Sequence, residues 1–538
     1  MSEEWELAVS EDYPWPKAFD YREPDASTQL AGLKSLQSVA LGDRPDKADM
    51  AATKIADAPV SAPYQRGAHT RRSVTVWFLA GYGAAAVTLL TAVVLAALMR
   101  TGRAMLVIPV AVVAVGAVAL AAWLMKRANG VTARSRSSGL RKNLLAQLTP
   151  VVCLSVAFPL VGGRLTTPRI GSVSEEALLL AGALATPWLS QVVCTPLFAA
   201  LSAAPEHGEP ASLGSRWLSR WPFVAVSALP VAAAFGAGIG LALKWDRTAI
   251  GALVLLCMIN SLFSQSMIVG ILKRNYLPWA AAWFVYALVL VTLPRLWFLP
   301  PVAGLSTQLV YLASARPALV RPIRTRGLLA QFAKGLLVGA VLWSDKLFFF
   351  LKTSQHFRAQ YVFMAVLPAM ITYGYYFVRL APCLDQIVAD MRATMEREAL
   401  ENSGRLLRGL ADEVEESIVK VACVGSILCL LSVIAVSLIV PSVSMQYAVM
   451  AVAAVSFLVI TVLLYMLDYI GRSDLVYKFA GAQLAVSAST ILIGPPGSMT
   501  YIVLAVLSAV VTVAAARSTL TAWRLPEYAL FWRYATEW

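Results

Sequence analysis

Apolar residues along most of this chain come in long unbroken runs rather than in alternation. From Ser73 onward the runs cover 74–99, 104–125, 144–163, 177–203, 222–243, 249–272, 277–294, 297–314, 327–351, 360–381, 418–440, 447–470, 476–494 and 499–516. Each is about 18 to 27 residues long, and a helix needs about 20 to cross a bilayer's hydrocarbon. The pattern predicts an all-α polytopic membrane protein with about 14 transmembrane helices. The run 297–314 is the weakest of these, because Pro300-Pro301 interrupts it.

Polar connections then set the expected orientation. Residues 1–72 hold no long apolar run, open acidic (Glu3, Glu4, Glu6, Glu11, Asp12) and are broken by prolines. No secretory leader is visible, so this segment is expected to be a disordered cytoplasmic tail. Its patch Tyr13-Pro14-Trp15-Pro16 reads either as a docking point or as solvated leader. With the tail inside, the basic connections also fall inside: Arg66, Arg71 and Arg72, then Lys126 to Lys142, Arg216 and Arg220, Lys273 and Arg274, and Arg316 to Arg326. That bias has the sign of the positive-inside rule and favours an even number of spans with both termini, including 517–538, in the cytoplasm. The longer inside connection, 382–417, places Leu384, Ile387, Val388, Met391 and Met395 at helical spacing, which predicts one amphipathic helix lying at the inner surface.

Composition agrees with a lipid environment. Of the 538 residues 58% are hydrophobic and only 14% charged, and the mean hydropathy is +0.67. The excess of 45 Lys+Arg over 31 Asp+Glu sits in short clusters between spans, which argues against a phosphate groove and against nucleic-acid binding. The 6 cysteines show no CxxC spacing and read as small packing residues. Metalloprotease, serine-hydrolase and P-loop patterns are absent, and His69, His207 and His356 stand far apart, so an enzyme is not expected.

Ionisable groups within the spans are the better lead, because charge in lipid is costly unless it faces a partner or a cavity. GLLVGAVLWSDKLFFFL carries Lys334, Asp345 and Lys346. Lys334 and Asp345 share a helix face, whereas Asp345 and Lys346 point about 100° apart and need separate partners. The group reads as a transport cavity, with Asp345 as a cation or proton site or a gate to Lys334, or else as a charge pair reaching for the outer headgroups. A second cluster comprises Tyr373, Tyr375, Tyr376 and Arg379; a third comprises Tyr465, Asp468, Tyr469, Arg472, Asp474 and Lys478. Tyrosines among mixed charges suit a sugar, and they equally suit an aromatic belt with basic anchors. Pro150, Pro159, Pro187, Pro196, Pro230 and Pro368 fall inside spans and allow bending.

The stretches VLWSDKLFFFLKTSQHF, AVLPAMITYGYYFVRL and LLYMLDYIGRSDLVYKFAGAQLAVSAST, with the closing AWRLPEYALF, resemble the C-terminal half of the Pel exopolysaccharide transporter (PelG-like) family. The resemblance covers residues 315–532; the N-terminal half is similar only in hydropathy. It implies the multidrug/oligosaccharidyl-lipid/polysaccharide flippase superfamily, with twelve helices in two six-helix lobes. The chain would then divide into the tail, an added hairpin with its basic loop (73–143), an N-terminal lobe (144–314), a linker (315–326) and a C-terminal lobe (327–516). It also implies export or flipping of a polysaccharide or glycan by alternating access, and a cytoplasmic glycosyltransferase or other synthase subunits as partners. Arg379 departs from the family pattern, standing where an acidic residue is expected after the tyrosines. No cofactor is expected, and a proton or sodium ion is the candidate for coupling. Ala-, Val- and Arg-rich usage points to a bacterium of high genomic GC, and the expected location is its cytoplasmic membrane. Rival readings are a lipid-linked oligosaccharide flippase, a membrane-embedded glycosyltransferase or ligase, and a synthase scaffold.

Overall fold

A computed structural model describes residues 146–150, 168–202, 212–313, 319–323, 325–353, 359–395, 400–441, 444–495 and 497–524, with isolated positions between 88 and 165 and at 315. The expected tail 1–72, nearly all of the hairpin 73–143 and part of the span 144–163 lie outside the described residues, as does the chain beyond Arg524.

The described chain is helical apart from one small hairpin. Strands β1 (Arg169–Ile170) and β2 (Val173–Ser174) pair antiparallel, with Ile170 opposite Val173. Gly171 turns the chain between them at φ 61, a conformation that glycine adopts without steric cost. The helices are α1 (Glu175–Ser202), α2 (Leu213–Ala242), α3 (Arg247–Ser266), α4 (Ile268–Leu272), α5 (Leu277–Thr292), α6 (Leu299–Leu312) and α7 (Thr325–Thr353). They continue with α8 (Ala359–Tyr375), a π-helical turn (Tyr376–Leu380), α9 (Ala381–Met395), α10 (Leu400–Ile439), α11 (Ser444–Tyr469), α12 (Ser473–Ile493) and α13 (Ser498–Ala522). Among the described residues nine helices are long and apolar enough to cross a membrane. The protein is an all-α, multi-pass membrane protein.

Local chemistry explains where helices begin. Ser174 Oγ accepts from Ala177 N ahead of α1, Ser212 Oγ from Ser215 N ahead of α2, and Asp246 from Thr248 N ahead of α3. These caps satisfy amides that no helical carbonyl reaches. Pro300-Pro301 does not interrupt a helix: α6 starts at Leu299, so both prolines occupy its first turn, where no amide is needed. α5 and α6 therefore have 16 and 14 residues. Those lengths correspond to about 24 and 21 Å, short of a hydrocarbon layer of about 30 Å.

The segment 382–417 is not one helix along a surface. Its first part is α9, which continues from α8 through the π-turn, and its last part is the N-terminal end of the 40-residue α10. Leu384 and Val388 of α9 are buried in one cluster with Leu410, Val414 and Ile418 of α10. Periodicity correctly marked an apolar face, but a neighbouring helix covers it rather than headgroups.

Helix packing repeats. α1 packs on α2 and α3, α2 on α3, α3 on α6, and α5 on α6. In the same way α8 packs on α10 and α11, α10 on α11, α11 on α13, and α12 on α13. α7 connects the two sets, packing most extensively on α1 and α12. Glycine makes the α1–α7 approach close: a Cβ on Gly335 would stand 2.4 Å from the Gln191 carbonyl oxygen, and one on Gly339 would stand 2.9 Å from Trp188. Small residues one turn apart let helix backbones approach where lipid offers no hydrophobic drive.

Polar contacts show which helix ends lie together. At one end, Ser172 bonds Asp246, and Lys352 at the end of α7 donates to the carbonyls of Ile491 and Gly494 that close α12. That cation meets the negative pole of α12. At the other end, the Arg321 amide donates to the Ser219 carbonyl, Arg220 to the Pro322 carbonyl, and Arg274 pairs with Asp385. We call these the hairpin end and the arginine end.

Candidate functional site

The richest polar cluster lies toward the arginine end, where the two packing sets meet. α7 brings Lys334, and α11 brings Asp468 in its last turn. Lys334 Nζ lies 2.5 Å from Asp468 Oδ1, with side chains 9% and 28% exposed. That oxygen accepts no well-directed hydrogen bond, so the contact is an ion pair. Breaking such a pair by removing one partner leaves an uncompensated charge.

Tyrosines surround the pair. Tyr465, one turn before Asp468 on α11, meets the hydroxyl of Tyr373 of α8 at 3.2 Å. It also donates across the junction to Gln191 Oε1 of α1 at 3.4 Å, and it lies within electrostatic reach of both Asp468 and Lys334. Phe377 stands edge-on to Tyr465 and Tyr376, with ring centroids 5.3 and 5.0 Å apart. Tyr276, beside the α4–α5 connection, lies within electrostatic reach of Tyr373. Tyr469 hydrogen-bonds Asp385, whose carboxylate also pairs with Arg274 at 3.5 Å. Together these residues form a collar of phenols closed by two ion pairs.

Two breaks in the α8–α9 run place this collar. Pro368 cannot donate to the Met364 carbonyl, and Tyr447 of α11 donates to it instead, at 3.1 Å. Pro382 likewise cannot bond Val378, and the turn before it widens, with the Ala381 amide reaching back to the Tyr376 carbonyl. π-turns are rare in helices and occur often at functional sites. Tyr373 and Tyr376 are carried between these breaks.

Asp345 and Lys346 form a separate site nearer the hairpin end. Their relation differs from the expectation of separate partners: Lys346 curls back to donate to Asp345 Oδ1 at 2.8 Å and to the Leu342 carbonyl at 2.7 Å. Adjacent residues point apart at Cβ, but a lysine stem is long enough to return. Its ammonium stands 5.0 Å from the Phe457 ring centroid, a cation–π distance. Both residues are buried, as are the Tyr501 hydroxyl and the Ser344 hydroxyl, each without a hydrogen-bond partner. Nor does Asp345 gate to Lys334. The two share a face but stand about 16 Å apart along α7, which leaves Lys334 to Asp468.

Other expected residues lie outside the collar. Arg472 makes a bidentate pair with Asp474, both contacts 3.0 Å, at the exposed start of α12. Arg379 is exposed, and Tyr375 is half-buried against the cluster shared by α9, α10 and α11. The collar also contains Gln191, Tyr276, Arg274 and Asp385, which were not singled out. Arg274 carried a signal only in being basic, and Asp385 lay in a segment read as a surface helix. Gln191 is one uncharged side chain within an apolar run. No family model matches this chain, and no curated protein or solved structure does either.

Proposed function

We propose that this protein moves a glycan, a polysaccharide or a lipid-linked oligosaccharide, across a bacterial cytoplasmic membrane by alternating access, as a transporter rather than an enzyme. One observation carries this reading. Tyr276, Tyr373, Tyr376, Tyr465 and Tyr469, together with Lys334 and Asp468, meet where the α1–α6 set faces the α8–α13 set. A sugar chain needs exchangeable hydrogen bonds for its hydroxyls and flat rings for its apolar faces, and phenols supply both. The pairwise recurrence of helix packing supports two six-helix lobes, with α7 opening the second. Rigid lobes rocking about such a junction would expose it to each side in turn.

Within this reading the arginine end faces the cytoplasm, where a glycosyltransferase or other synthase subunit would deliver the growing chain. Asp345 would take the proton or sodium ion that drives the cycle, since a buried intramembrane carboxylate marks an ion pathway by default. The likeness to the Pel exopolysaccharide transporters, which rests on residues 315–532, is consistent with this assignment.

The test is export. In the native host, Asp468→Asn and Lys334→Met should each reduce extracellular polysaccharide at least about tenfold at equal membrane abundance. The charge swap Lys334→Asp with Asp468→Lys should recover part of the loss, because a paired geometry costs less than a lone buried charge. Wild-type export by both single variants would remove the collar from the mechanism.

A further inference from the structure

We propose that the α8–α9 run is a gate at the arginine end, hinged at Pro368 and at the π-turn, and latched by Arg274 to Asp385. This rests on the transport reading of the collar and adds which element moves and what holds it shut.

Three independent features point to the same element. First, the run is weakened at two places: Pro368 removes one ladder bond, and the π-turn at Tyr376–Leu380 widens the helix ahead of Pro382. Kinks of this kind concentrate bending at defined residues. Second, the side chains between these places contribute to closing the collar. Tyr373 holds Tyr465, while Tyr376 lies within electrostatic reach of Asp385, Tyr465 and Tyr469. Bending there withdraws both phenols from α11.

Third, the latch crosses from one packing set to the other. Arg274 sits in the turn between α4 and α5 at φ 54, a left-handed conformation unusual for a residue with a side chain. The turn itself is a standard helix ending: the Arg274 amide bonds the Ile271 carbonyl, and the Asn275 amide bonds that of Gly270. Glycine would serve better at this position. An arginine there tolerates backbone strain while its guanidinium reaches Asp385 at 3.5 Å, and strain of that kind is a pointer to function. The latch is half in solvent, with side chains 44% and 19% exposed, so it is weak enough to open. Tyr469 braces the same carboxylate from α11.

Opening is read by the alkylation rate of a thiol placed one turn from Gln191, at the α1–α7 approach, through Thr195→Cys, in full-length protein whose 6 native cysteines are replaced. Thr195 is half-buried on α1, and its hydroxyl bonds only its own helix at Gln191. An impermeant maleimide is applied from the arginine end. Asp385→Asn should raise the labelling rate about three- to fivefold, the upper end of what a part-exposed ion pair contributes. Arg274→Gly should do the same while relieving the turn, which excludes misfolding as the cause. Cross-linking Arg274→Cys to Asp385→Cys with a cleavable bis-thiol reagent should suppress labelling of the Thr195→Cys thiol, followed on its own peptide by mass spectrometry, and reduction should restore it. Rates unchanged within twofold across the two latch variants and the cross-linked protein would overturn the gate. Labelling needs no substrate, so the readouts separate: a moving gate with unimpaired glycan export in the cross-linked protein would overturn the transport reading and leave the gate standing.

Discussion

Asp246 shows how much one residue can organise without being buried. Its carboxylate caps α3 and accepts both the amide and the hydroxyl of Ser172, at 2.9 and 2.8 Å. It also lies where a Cβ on Gly171 would stand, 2.2 Å from Oδ2, so the hairpin turn and the helix cap are one unit. These bonds, the Ser172 amide foremost, hold its pKa down to about 2 from the ordinary 3.8. The unfolded chain therefore binds more protons between those values, and stability from this group is present above about pH 4 and lost as pH falls toward 2. Thermal unfolding in detergent should show a midpoint that drops between pH 4 and pH 2. Asp246→Asn should lower the midpoint above pH 4, where the charged carboxylate stabilises the fold, and flatten the drop below it.

At the scale of elements, pairs of helices are held by small residues and by satisfied polar side chains. Gln265 is fully buried on α3, yet its amide donates to the Val193 carbonyl and accepts from Trp221, so α1, α2 and α3 are tied without an orphan group. Gly335 serves the junction between the sets. Gly335→Val would force its side chain into the Gln191 backbone, a contact that cannot give way as a flexible side chain can. It should cost about 1–3 kcal/mol by overpacking, read as a lower unfolding midpoint. Gly327→Val, where a Cβ meets nothing within 4 Å, should leave the midpoint within a degree or two. Equal effects at the two positions would show that the close approach does not matter.

For the whole molecule, the distribution of cations between its two ends sets which end faces the cytoplasm. Arg216, Arg220, Lys273, Arg274, Arg321, Arg379 and Arg472 all lie at or near the ends of helices that meet at the arginine end. That asymmetry predicts this end inside. In a cysteine-replaced background, an impermeant maleimide should label Arg169→Cys, in the hairpin, on intact spheroplasts. Lys273→Cys should react only in inverted vesicles. The reverse pattern would turn the protein over and place the gate on the outer side.

Much of the architecture was legible in the sequence, because backbone in lipid has no water to satisfy it and long apolar runs can only close their hydrogen bonds as helices. Each expected run within the described residues contains a helix, and the identity of Lys334, Asp345, Lys346 and Asp468 as costly intramembrane charges followed from the same solvent argument. What those charges touch did not follow. Tyr465 reaches Gln191 across 274 residues, and Lys334 finds Asp468 rather than Asp345. Such partners depend on which helices are neighbours and at what depth each side chain lies. Hydropathy fixes that a helix crosses and leaves its azimuth and neighbours to packing, because every apolar face is equally at ease in lipid. Only the folded bundle therefore decided that α9 rests on α10, that Pro300-Pro301 begins a helix, and that tyrosines from distant parts of the chain close one collar.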